Sequence, residues 1–168
     1  MPSDDATAEL IRLLRDRQLT IAAAESLTGG ELTAELTRVP GASAVVLGGV
    51  VVYATALKHT LVGVDADLLD AEGPVHPEVA RQLADGVRQR LAVDGRPADI
   101  GLATTGVAGP DPQGGRPVGT VFVGISTPAG TRVVELALQG DRATIRRLVV
   151  DRAIAETLAD PALDIPAE

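Results

Sequence analysis

The chain predicts an α/β fold: a three-layer α/β/α sandwich around a mixed sheet, in a single domain. Three observations predict it. Short apolar runs alternate with amphipathic stretches through the first hundred or so residues, the pattern of helices packed on a sheet. Two valine-rich runs late in the chain flank Thr127-Pro128-Ala129-Gly130, a turn signal for a hairpin. No linker, repeat or low-complexity tract interrupts the 168 residues, a length that suits one core.

Each element has its own signal. Residues 6–16 set Leu10, Ile11, Leu13 and Leu14 among charges, which predicts an amphipathic helix. Leu19 to Ala24 is a short apolar run ending at Glu25-Ser26, a buried strand. Thr28 to Val39 reads as a helix stopped by Pro40-Gly41. Val45 to Val52 is a valine-rich strand, and a helix starting near Thr55 carries Lys58. Pro77 suits the first position of another helix, with Val79, Leu83, Val87 and Leu91 four apart on one face. Ala98 to Ala103 is a strand. Val118 to Ile125 and Val133 to Leu138 form the hairpin. Asp141 opens a long final helix with Ile145, Leu148 and Val149 facing in, and the tail from Pro161 is expected to fray.

Composition narrows the function. The hydrophobic fraction is 45% but aromatics are 1%, so the core is built from Ala, Val, Leu and Ile. Net charge is −8 and the pI is about 4.7. An acidic chain with almost no stacking residues argues against wrapping a nucleic acid, while a small anion held by two or three arginines remains open. Absence of cysteine excludes disulfides, thiolate metal sites and a cysteine nucleophile. No signal-peptide pattern and no long apolar span is present, so a soluble, cytoplasmic protein without membrane contact is expected. The phosphate-loop and dinucleotide glycine motifs are missing, and no His/Asp/Glu spacing suggests a metal site. No cofactor is expected.

Of fifteen Lys and Arg residues, only Lys58 is lysine. An ammonium can lose its proton when desolvated, whereas a guanidinium effectively cannot. Lys58 is thus a candidate base or Schiff-base amine, unless an arginine-biased composition simply left one lysine. Four segments could carry chemistry with it. Ala24-Glu25-Ser26-Leu27-Thr28-Gly29-Gly30 joins a strand to a helix, where ligands gather in open α/β sheets. Ser26 sits there as a nucleophile candidate, although Ser26 or Thr28 equally suits a helix N-cap. Tyr53, the only tyrosine, precedes Lys58 by five residues and could relay a proton, hydrogen-bond a substrate or stack on a ring. Thr104 to Gly115 is a glycine- and proline-rich loop after a strand, with Thr105 as a donor to a carbonyl or phosphate. Arg142 and Arg146, four apart near a helix start, can grip a phosphate or carboxylate or line a solvated face. His76 reads as a loop or cap residue, and His59 as surface or supporting. Neither pairs with Ser26 on spacing.

Together these segments resemble the CinA C-terminal domain family. The resemblance is carried by Ala24-Glu25-Ser26-x-Thr28-Gly29-Gly30, Tyr53 with Lys58, Thr105-Gly106-Val107-Ala108-Gly109-Pro110-Asp111, Pro117-Val118-Gly119-Thr120-Val121, and Gly140-Asp141-Arg142 with Arg146. It runs from about residue 8 to 160. The separate N-terminal domain of longer members is missing, which resembles a stand-alone form. Active members are nicotinamide-nucleotide amidohydrolases, which convert nicotinamide mononucleotide to nicotinate mononucleotide and ammonia in pyridine nucleotide salvage. The resemblance implies Ser26 as nucleophile, Lys58 as its base, Tyr53 and Thr105 as positioning groups, and Arg142 or Arg146 on the 5′-phosphate. Oxyanion donors are expected from the N–H groups of Thr28, Gly29 and Gly30 or of Gly106, and no metal is needed. Two positions depart from the family pattern. His76 in Gly73-Pro74-Val75-His76 stands where a serine is frequent, and Leu27 replaces a smaller or polar residue. The competing expectation is a catalytically silent nucleotide-binding or regulatory domain. A homodimer is compatible with the aliphatic, glycine-rich strands.

Overall fold

The computed structural model describes residues 5–163. Five strands form one sheet in the order β2-β1-β3-β4-β5: β1 (Ile21–Glu25), β2 (Val46–Val51), β3 (Ile100–Gly106), β4 (Thr120–Thr127) and β5 (Gly130–Ala137). β1 runs parallel to both β2 and β3, while β3–β4 and β4–β5 are antiparallel, so the sheet is mixed as expected. The hairpin turn falls where the sequence placed it, with Thr127 paired to Gly130.

Side-chain alternation divides the sheet between two cores. Along β1, Ile21 and Ala23 point to one face, and Ala22 and Ala24 to the other. The first face is covered by α1 (Ala6–Asp16), α2 (Glu31–Arg38) and α6 (Arg142–Leu158), through Leu10, Leu14, Leu32, Leu36, Ile145 and Val149. The second is covered by α3 (Thr55–Val62), α4 (Ala66–Glu72) and α5 (Pro77–Arg90), through Val62, Leu69, Val79, Leu83 and Val87. That gives three layers. With one phenylalanine and no tryptophan, the core gains density by close backbone approach instead. A Cβ on Gly101 would lie 2.0 Å from the Ala84 carbonyl oxygen, and one on Gly124 2.3 Å from that of Ala80. Both glycines let α5 sit directly on β3 and β4.

Some expectations need correction. α2 starts at Glu31 and not at Thr28, because Gly29 and Gly30 take left-handed backbone (φ 57° and 107°) that ends the turn before the helix. α4 was not expected. It is a seven-residue helix opened by the Asp65 side chain, too short to show a clear period. In α6, Leu148 is only half-buried and Val150 is buried in its place. Pro161–Leu163 does not fray: it forms a 3-10 turn whose Leu163 is buried against the first core. The rest of the tail lies outside the described residues.

Candidate active site

The carboxyl ends of β1 and β3 and the segment after β2 converge on one cleft. Ser26, directly after β1, is held by its N–H on the Thr104 carbonyl at 3.1 Å. Lys58 reaches it from α3. Its Nζ lies 3.0 Å from Ser26 Oγ, 2.7 Å from the Val52 carbonyl and 3.4 Å from the Tyr53 carbonyl. Only 1% of Lys58 is exposed. Burial alone lowers its pKa from the usual 10.5 to about 8. All three neighbours are oxygens that accept from the amine. Once the amine is neutral, two N–H groups suffice for the two carbonyls and a lone pair is left for the serine hydroxyl.

The cleft is partly enclosed and opens to solvent at its mouth. Ser26 and Lys58 share it with Tyr53, Thr105, Gly106, Asp111 and Arg142. Val107 donates to the Thr120 carbonyl at 2.9 Å, so antiparallel alternation turns the Gly106 N–H away from β4, toward the β1 side and Ser26. Arg142 sits exposed at the mouth. Its Nη1 donates to the Gly109 carbonyl at 2.7 Å and its Nη2 to the Tyr53 hydroxyl at 3.0 Å. Both acceptors are neutral, so the guanidinium charge is available to an anion.

The family of known proteins matching this chain covers residues 3–159 and is the CinA C-terminal domain. The chain belongs to that family. It is 48% identical over 151 residues to a CinA-like protein of Frankia casuarinae, covering 90% of this chain and 34% of that protein. A putative competence-damage inducible protein of a Geobacillus strain is 51% identical over 137 residues, covering 81% and 32%. This CinA-family chain thus spans about a third of the length of the curated relatives it matches. Among solved structures it resembles the competence/damage inducible protein CihA of Agrobacterium tumefaciens, with TM-score 0.86, 30% identity and 98% of each chain covered. The competence damage-inducible protein A of Klebsiella pneumoniae is similar, with TM-score 0.86, 31% identity, and 94% and 96% covered.

Not every residue of the CinA-like segments lines the cleft. Arg146 lies outside it. Its guanidinium donates to the carbonyls of Leu27 at 2.9 Å and Thr28 at 3.3 Å and pairs with Glu31 at 2.8 Å. It braces the turn that carries Ser26. The Gly29 N–H is spent on the Ser26 carbonyl and the Gly30 N–H on the Glu25 carboxylate, while Thr28 is buried with its hydroxyl 2.9 Å from that of Thr104. Among the expected oxyanion donors, the Gly29 and Gly30 N–H groups are engaged, while the Gly106 N–H faces the serine side. Thr105 Oγ1 donates to the Pro74 carbonyl at 2.7 Å, tying the loop before α5 to the cleft wall. Tyr53 is 59% exposed with its hydroxyl on Arg142, which sets it at the mouth rather than between serine and lysine.

His76 caps α5, its Nδ1 accepting from the Glu78 N–H at 3.1 Å, as the sequence suggested. His59 Nδ1 bonds the Val64 carbonyl at 2.7 Å. Leu27 is buried but reaches the cleft wall. No group of three or more His, Cys, Asp or Glu residues arranged to hold a metal occurs among the described residues, and no helix there is long and apolar enough to cross a membrane. Sequence reasoning overlooked Glu25 and the Pro74 and Gly109 carbonyls. Backbone acceptors carry no sequence signal. Glu25 did carry one: it is a charge ending a wholly apolar strand.

Proposed function

We propose that this chain is a serine-type amidohydrolase that converts the carboxamide of nicotinamide mononucleotide to the carboxylate, releasing ammonia. The observation that carries the reading is the buried Lys58 amine 3.0 Å from Ser26 Oγ, shifted by burial toward its neutral form. An amide hydrolase needs a nucleophile, a base that returns the proton to the leaving nitrogen, and donors for the oxyanion.

In this proposal neutral Lys58 takes the Ser26 proton as Oγ attacks the carboxamide carbon. The tetrahedral oxygen is met by the Gly106 N–H. The C–N bond breaks, the Lys58 ammonium gives its proton to the departing nitrogen, and ammonia leaves. Water, deprotonated by Lys58, then attacks the acyl-serine; the C–Oγ bond breaks, the Lys58 ammonium returns its proton to Ser26 Oγ, and the acid product leaves as the carboxylate, its proton going to solvent. The Val52 and Tyr53 carbonyls accept the amine's N–H groups throughout and keep it aimed. Arg142 at the mouth holds the 5′-phosphate, with bidentate geometry available once it leaves its neutral acceptors. Support for the substrate class comes from family membership and from a single exposed cation over the cleft mouth.

The test is release of ammonia and nicotinate mononucleotide from nicotinamide mononucleotide by the purified protein, with Ser26→Ala as blank. Turnover that vanishes in the blank is the expected result. No turnover with nucleotide binding retained would replace this reading with a silent nucleotide-binding domain. Trapping of a substrate adduct on Lys58 by borohydride would replace the base with a Schiff-base amine.

A further inference from the structure

Glu25 is a fully buried ionisable residue that the proposed chemistry leaves unused. It ends β1, immediately before Ser26. Its carboxylate is held by four donors at one helix end. Oε1 accepts from the N–H groups of Gly30 at 3.2 Å and Leu32 at 2.8 Å. Oε2 accepts from the Thr33 N–H at 3.0 Å and the Thr33 hydroxyl at 2.7 Å.

An N-cap residue usually supplies this acceptor from within the helix start. Here the N-cap is Gly30, which has no side chain to give, and the cap comes from five residues upstream. The intervening turn, Ser26 to Gly30, is therefore closed at both ends by one residue. Arg146 braces the same turn by its carbonyls. Glu25 also touches the lysine side. Its own carbonyl accepts from the Val52 N–H at 2.8 Å, and the Val52 carbonyl accepts from Lys58 Nζ at 2.7 Å.

We propose that the Glu25 carboxylate is the positioning residue of the nucleophile turn: an internal anion that fills the start of α2, fixes Ser26 against Lys58, and leaves Arg142 as the cleft's anion site. This rests on the amidohydrolase reading above. An open helix start draws external anions through its N–H groups and dipole. With Glu25 in place the groups at Gly30, Leu32 and Thr33 are occupied, so a substrate phosphate has no competing seat beside the serine. Glutamine is a poor substitute, because its NH2 turns a donor toward a donor at one of the two sides.

The test compares Glu25→Gln and Glu25→Ala with wild type. The alanine change removes a CH2–COO⁻ unit, which acetate can replace. Glu25→Gln is expected to lose about a hundredfold in kcat with KM for nicotinamide mononucleotide within about threefold, the pattern of a misplaced nucleophile. Glu25→Ala is expected to lose more, and acetate to restore at least about tenfold of it saturably, with chloride at equal ionic strength inert. A cap that only stabilises the fold would lower Tm in both variants yet leave kcat at the wild-type value, and that result overturns the proposal. Acetate that restores Tm but not kcat overturns it as well. If Glu25→Ala does not fold, kcat of Glu25→Gln decides. Labelling of Ser26 by a fluorophosphonate reads its reactivity without substrate. Absence of turnover in wild type would sink the amidohydrolase reading alone. Slower labelling in Glu25→Gln would then still support the positioning role, and equal labelling would overturn it.

Discussion

At the scale of single residues, the chemistry turns on which cation can be neutral. Lys58 is buried at 1% exposure with neutral acceptors around its amine, and the pKa near 8 follows from desolvation. Its base form is therefore populated as pH rises through about 8. The rate kcat/KM is expected to climb about tenfold per pH unit below that value and to level above it, checked by a pH–rate profile. Lys58→Arg keeps the charge and cannot release it. A loss of at least about a thousandfold in kcat is expected, and wild-type rates would end the base assignment. Arg142 and Arg146 of α6 should separate cleanly. Arg142→Ala is expected to cost about a hundredfold in kcat/KM for the mononucleotide and almost nothing for nicotinamide riboside. Arg146→Ala, which frees the Leu27 and Thr28 carbonyls, is expected to lower Tm and to slow both substrates alike. Parallel kinetics on the two substrates check both statements. Much at this scale was legible beforehand. A lone lysine in an arginine-rich chain and a serine after an apolar strand are chemical signals. The division of labour between Arg142 and Arg146 was not, because four residues on one helix place both on one face and only packing decides which meets the cleft.

At the scale of elements, small residues set the geometry. α5 lies so close to β3 and β4 that Gly101 and Gly124 face its carbonyls with no room for a methyl group. Gly101→Ala must push α5 outward, since the blocking atom at 2.0 Å is backbone. A destabilisation of about 2 kcal/mol is expected, with Tm down by about 4 to 8 °C in a thermal melt. α3 and α5 share the same core, so the displacement also strains the mount of Lys58. Strands and long helices were readable here because their apolar periods are strong. Pro77 and Asp141 marked their helix starts, and the structure uses both. The short helix α4 and the true start of α2 were hidden. Seven residues hold too few apolar positions for a period, and left-handed backbone at Gly29 and Gly30 can lie inside a helix-like pattern without changing it.

At the scale of the whole molecule, the buried lysine links stability to pH. Between about 8 and 10.5 the unfolded chain still binds the Lys58 proton that the folded chain has released, so rising pH favours the folded state. Below 8 both states carry the proton and the full penalty of burying the charge applies. A gain of about 3 kcal/mol across this window is expected, the equivalent of the pKa difference. Urea midpoints at both ends of the window, in wild type and in Lys58→Met, check it: the gain should be absent from the variant. Few other groups obscure the reading, as Lys58 is the only lysine and cysteine is absent. The sequence by itself determined the α/β class, the aliphatic make-up of the core, the hairpin, and the residue types available for catalysis, since period, turn chemistry and composition are local properties. Only the tertiary structure decided which of these residues meet. Ser26 and Lys58 are joined across the ends of β1 and the segment after β2, the Gly29 and Gly30 N–H groups are engaged within the turn, and Glu25 closes the helix end beside the serine. Those outcomes depend on strand order and on where each donor's partner lies, and neither is written in any one stretch of chain.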